Sequence, residues 1–62
     1  MKVRIEDKEN VRKNGIELTA FNVYEFNADQ EAYVFEGQFS TTGSDATDSQ
    51  CEAEYFSQRF EE

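Results

Sequence analysis

The sequence predicts an α+β domain: a three-stranded antiparallel β-meander packed by one C-terminal α-helix. Three observations carry that expectation. Asn14-Gly15 is the residue pair most suited to a two-residue type I′ hairpin turn. Apolar and opposite-charge residues fall opposite one another when the chain is folded back at that turn. Thr47-x-x-Gln50 reads as a capping box ahead of apolar residues spaced at helical period.

The first strand spans residues 2–13 and the second 16–26. A turn at Asn14-Gly15 sets Lys13 opposite Ile16, and each further pair follows from that register. Val11 then faces Leu18, Ile5 faces Tyr24 and Val3 faces Phe26, all on one side of the sheet. The other side brings Arg12 opposite Glu17 and Arg4 opposite Glu25, two pairs of opposite charge. Between Glu6 and Asn10 the alternation fails, because Asp7 and Glu9 would point toward the apolar side. A bulge or break is expected there.

On the second strand Ile16, Leu18, Ala20, Tyr24 and Phe26 alternate to one side, with Asn22 as the exception. Asn27-Ala28-Asp29-Gln30 is turn-like, and the third strand covers 31–41. This register sets Tyr33 against Tyr24 and Phe39 against Leu18, so that Tyr33, Phe35 and Phe39 join the apolar side. Thr41 to Asp45 breaks the strand.

The helix covers 45–60. Thr47 is its capping residue, with Ser44 or Asp45 as alternatives, and Asp45 and Asp48 suit the positive end of the helix dipole. Ala46, Ala53, Phe56 and Phe60 form the stripe expected to lie on the aromatic side of the sheet. Asp48, Ser49, Glu52 and Glu61 then face water. A competing reading makes Cys51 to Arg59 a fourth strand, because Cys51, Ala53 and Tyr55 alternate with Glu52 and Glu54. Ala, Glu and Gln favour the helix over it.

Sixty-two residues make a single domain with a small core, and nine Phe and Tyr residues supply most of the apolar area available to it. The charge is lopsided. Residues 1–13 carry a net +2, whereas residues 14–58 contain no Lys or Arg and carry −9, within a total of −8. Such a field repels phosphates and anionic lipid, so direct nucleic-acid or membrane binding is not expected. The first residues form no apolar run of the signal-peptide kind, and the lone Cys51 has no partner for an internal disulfide. Both point to the cytoplasm.

Histidine is absent, which removes the commonest general base and metal ligand. Cys51 lies beside Glu52 and Glu54, whose charge disfavours a thiolate. Asp45, Asp48 and Glu52 fall on one helical face, but no calcium-loop pattern frames them, and a solvated face is the plainer role. No glycine-rich phosphate loop is present. The sequence therefore points away from catalysis and from any cofactor or metal.

Binding is left. In the expected register the sheet side away from the helix shows Glu6, Glu17, Glu25 and Glu36 around Phe21, Val23 and Val34. Carboxylates on a sheet come about 4.8 Å apart across strands and about 6.8 Å along them, close to the spacing of phosphates on a nucleic-acid strand. The candidate contact residues are Glu17, Phe21, Val23, Glu25, Val34 and Glu36, with Asp48 and Glu52 on the helix. The function expected is inhibition: a small acidic protein, of the anti-CRISPR or anti-restriction kind carried by phages, mimicking nucleic acid before a basic nucleic-acid-binding protein or effector complex. That is an analogy of size and charge, with no motif behind it. The alternative is a non-catalytic adaptor or self-assembly module pairing through a sheet edge. The chain would then be a monomer or a homodimer joined through strand 3, the edge for which no bulge is expected.

Overall fold

Both central residues of the first turn adopt positive φ, 53° at Asn14 and 77° at Gly15, as a type I′ turn requires. In the computed structural model, which describes residues 2–60 (Phe60 by its backbone alone), this turn joins β1 (Val3–Lys13) to β2 (Ile16–Asn27). β3 (Ala32–Thr42) and α1 (Asp48–Phe60) complete an open antiparallel sheet of order β1-β2-β3 with one C-terminal helix. The α+β meander is thus present, and Cys51 to Arg59 lies in the helix, not in a fourth strand.

Near the turn the register matches expectation. Lys13 pairs with Ile16 and Val11 with Leu18, while Arg12 lies opposite Glu17 with a 3.1 Å ion pair. Farther out it changes. A bulge between Glu6 and Glu9, with Asp7 at φ 53°, adds one residue to β1. The bulge was expected; its consequence for the pairing was not. Val3, Arg4 and Ile5 pair with Glu25, Tyr24 and Val23 instead of Phe26, Glu25 and Tyr24. Asn22 Nδ2 donates to the Asp7 carboxylate across the bulge at 3.1 Å.

β3 departs from expectation twice. The second turn occupies residues 28–31. Asn27 Oδ1 accepts from the Gln30 N–H, the Glu31 N–H donates to the Ala28 carbonyl, and Glu31 closes the turn at φ 52°. Tyr24 therefore faces Phe35, and Phe26 faces Tyr33. Then Glu36 bulges out, Val23 pairs with Gly37 (φ 139°), and Phe39 lies opposite Phe21 instead of Leu18. Contrary to expectation, strand 3 is an edge with a bulge.

A one-residue slip turns every later side chain to the other face. The two bulges thus move Val3, Ile5 and Phe39 onto the side that holds Phe21 and Val23. That side becomes the apolar one at the helix, and α1 packs there. The expected covering of the Ile16–Leu18–Tyr24–Phe26 side is overturned. The buried apolar residues are Phe21, Val23, Ala46, Cys51 and Tyr55, with Val3, Ile5, Phe39 and Phe56 packed around them. The Tyr55 ring meets the Phe39 ring edge-on at 5.0 Å. Of the expected helix stripe, Ala46 is buried just before the helix, Phe56 is half-buried, and Ala53 is exposed. Cys51 and Tyr55, one helical turn apart, take the inward positions. The side chain of Phe60, and Glu61 with it, lie outside the described residues.

Thr19 holds the β3–α1 connection against this face. Its buried hydroxyl donates to the Gly43 carbonyl at 2.7 Å and accepts from the Ala46 N–H at 3.2 Å. Asn10 and Asp45 exchange two hydrogen bonds, and Lys8 reaches the Ala46 carbonyl and Asp48. The capping box forms as read: the Gln50 N–H donates to Thr47 Oγ1 at 3.2 Å, and the Thr47 N–H donates to Gln50 Oε1 at 2.8 Å.

These contacts set a pH profile. Hydrogen bonds from Ser44 and Arg12 hold the Glu17 carboxyl below its ordinary value. Its contribution is present at neutral pH and disappears as the pH falls through the lowered value. Burial pushes the Cys51 thiol above 9.0 and the Tyr55 phenol above 10.0, with Glu25 adding to the second. In the unfolded chain both groups ionise at those ordinary values, so stability declines as the pH rises past about 9. Thermal melts should show a plateau around neutrality with a fall on either side. A midpoint still rising above pH 9 would contradict the buried placement of Cys51 and Tyr55.

Candidate interaction surfaces

The sequence-derived contact residues do not share one open face. Phe21 and Val23 are fully buried beneath α1 and form the core, so they offer nothing to a partner. The bulges that pulled Val3, Ile5 and Phe39 to their side explain this correction. Glu17 is bound to Arg12 and accepts from Ser44 Oγ at 2.8 Å, near the helix start. Asp48 pairs with Lys8 at 2.8 Å in the same region. Glu52 is half-buried along the helix.

Glu25, Val34 and Glu36 do come together. They line a shallow cleft of about 150 Å³ with Arg59, at the end of the sheet near the second turn. Glu25 is the best held of the three. Its carboxylate accepts from Arg59 Nη1 at 2.6 Å and from the Tyr55 hydroxyl at 3.1 Å, joining β2 to α1. The guanidinium–carboxylate bond replaces the expected pair with Arg4, which instead bonds Glu6 and stands 5.3 Å from the Tyr33 ring centre. Glu36 is exposed on the β3 bulge and faces a neighbouring cleft with Phe39, Tyr55, Gln58 and Arg59. Together with Asp29 and Glu31 on the turn, it forms an acidic end to the molecule.

The opposite sheet face is the surface that sequence reasoning missed. It holds Tyr24, Phe26, Tyr33 and Phe35 at the same end. The Tyr24 and Phe35 rings lie 5.4 Å apart, as do those of Phe26 and Tyr33. Phe35 is 54% exposed and Ile16, at the far end, also 54%. A glycine inside a strand, as Gly37 is, signals a bulge and was the available clue. Arg59, the lone cation after residue 13, was the clue to a tether for the nearest carboxylate.

Cys51 is buried with its thiol pushed up, which keeps it protonated and unreactive at neutral pH. Asp45 and Asp48 are engaged by Asn10 and Lys8, and no set of three metal-type ligands converges among the described residues. Nor is any helix among them long and apolar enough to cross a membrane. Comparison of the chain with protein-family models, with curated proteins and with solved structures finds no match to any of them.

Proposed function

We propose that this chain is a non-catalytic acidic inhibitor that docks into the basic groove of a nucleic-acid-binding protein or effector complex. Its carboxylates take the places of phosphates, in the manner of anti-CRISPR or anti-restriction proteins. The observation that carries this reading is charge that the fold leaves uncompensated. Among the described residues, nine carboxylates and only three cations, Lys8, Arg12 and Arg59, lie away from the aromatic sheet face. Those cations are paired with Asp48, Glu17 and Glu25, so Asp29, Glu31, Glu36 and Glu52 keep their full field. A surface of this kind steers and holds a cationic groove.

The contact set is accordingly revised. Glu36, Asp29 and Glu31 lead it, Val34 flanks it in the cleft it shares with Glu36, Glu52 stands apart on the helix, and Phe21 and Val23 leave it. Glu36→Lys is the clean probe, because reversal at Glu25 would also break the Arg59 and Tyr55 contacts. The test is a pull-down from host cytoplasm at low salt, eluted by a salt gradient and repeated with competing oligonucleotide. Expected are nucleic-acid-binding proteins that elute as salt rises, that oligonucleotide displaces, and that Glu36→Lys captures poorly. Screening at about 0.1 M salt already limits such attraction to roughly 10 Å. Capture indifferent to salt and to oligonucleotide would rule out phosphate mimicry.

Edge pairing through β3 is disfavoured as a second reading. Both edge strands are bulged, which twists an edge away from a flat partner.

A further inference from the structure

We propose that the open sheet face is a homodimer interface, with two copies packed face to face. The face combines an aromatic block (Tyr24, Phe26, Tyr33, Phe35) with an aliphatic one at the far end that includes Ile16 and Leu18. More large apolar side chains stand on it than are buried in the core. Apolar area alone would not say what covers it. Charge does.

The strand register and the Asp7–Asn22 bond place Arg4, Lys13, Glu6, Asp7 and Glu9 on this side. Lys2, whose carbonyl accepts from the Phe26 N–H, continues the alternation onto it. Among the described residues three cations thus meet three carboxylates, and the face they form is neutral on a chain of net charge −8. A strongly basic partner gains nothing there, since the excess carboxylates lie elsewhere. A nucleic acid would have to approach a chain that is strongly negative as a whole. A second copy meets a neutral surface and leaves the helix side of each copy, with Asp48, Glu52 and Glu54, facing outward.

The dimensions suffice. The chain measures 42 × 24 × 17 Å. Overlaying two such broad faces removes on the order of 1,000–2,000 Å² in total, within the range of stable interfaces. A two-fold axis along the strands lays aromatic block on aromatic block and β1 over β3. Lys2 and Arg4 of one copy then stand over Tyr33 and Phe35 of the other, the cation–π geometry that Arg4 already makes with its own Tyr33. This arrangement is independent of the inhibitor reading and leaves Glu36 free to contact a partner.

Analytical ultracentrifugation of the full chain, from low micromolar to several hundred micromolar, is the test. Expected is a species of twice the 7.2 kDa chain mass that dissociates on dilution, with a thermal midpoint that rises with concentration. Phe35→Glu should weaken association at least tenfold with the far-ultraviolet spectrum retained, and Glu36→Lys should not weaken it. A wild-type chain that stays at 7.2 kDa throughout overturns the proposal, whatever the variants do. So does a dimer that folded Phe35→Glu leaves intact.

Discussion

Phe21→Ala is expected to destabilise the domain by about 3–5 kcal/mol, the usual range for a buried aromatic cut back to alanine. Phe21 is 0% exposed, is paired with Phe39 across the sheet, and sits beneath Cys51 and Tyr55. Domains are stable by about 0.05–0.15 kcal/mol per residue, so a chain of this size has roughly 3–9 kcal/mol in all. The variant should therefore be largely unfolded in mild urea, or unfolded outright. Phe35→Ala is the matched control. Phe35 is 54% exposed, and in dilute solution its loss should fall below about 1 kcal/mol. Urea melts that put the two variants in the opposite order would mean that Phe21 belongs to the open surface.

The second large effect is expected at Thr19. Thr19→Val keeps the shape of the side chain and removes the hydroxyl. The Gly43 carbonyl and the Ala46 N–H then lose their partner in a buried place. A buried unsatisfied group costs about 1–3 kcal/mol, so the variant should lose about 2–4 kcal/mol. Thr19→Ser keeps the hydroxyl and gives up one methyl group, about 1 kcal/mol. Thermal melts should rank wild type above Ser and Ser above Val. A Val variant as stable as wild type would show that the connection to α1 is held by Asn10 and Lys8 without Thr19.

Local chemistry made most of the fold legible. Asn14-Gly15 announces its turn, Thr47 and Gln50 announce the cap, and Arg12 and Glu17 find one another two residues from the hairpin. What the sequence did not disclose was which face the helix takes. Judged on β2 alone, Ile16, Leu18, Tyr24 and Phe26 outweigh Thr19, Phe21 and Val23, and the choice looks plain. The decision belongs to the edge strands. One inserted residue at Asp7–Lys8 and another at Glu36 bring Val3, Ile5 and Phe39 across, and Tyr55 closes over them. The failed alternation at Glu6–Asn10 pointed to the first bulge, but its effect on register accumulates beyond the bulge. The second turn, one residue later than its composition suggested, shifted β3 as well.

The candidate site inherits that error. Phe21 and Val23 were singled out as apolar anchors on a solvent face, and they are the centre of the core. Glu36 survives the change because a bulge residue stays at the surface, and Val34, half-buried opposite Glu25, lines the same cleft. Glu25 survives as a tether between β2 and α1, held by Arg59 and Tyr55.

The helix α1 covers the Phe21–Val23 face and leaves the Tyr24–Phe35 face open. A nuclear Overhauser experiment on the labelled protein tests this placement most directly. Tyr55 ring protons should give cross-peaks to Phe39, whose ring centre is 5.0 Å away, and core contacts should link Cys51 and Tyr55 to Phe21 and Val23. Cross-peaks from Tyr55 or Cys51 to Leu18, Tyr24 or Phe35 in their place would put the helix on the other face and contradict the account.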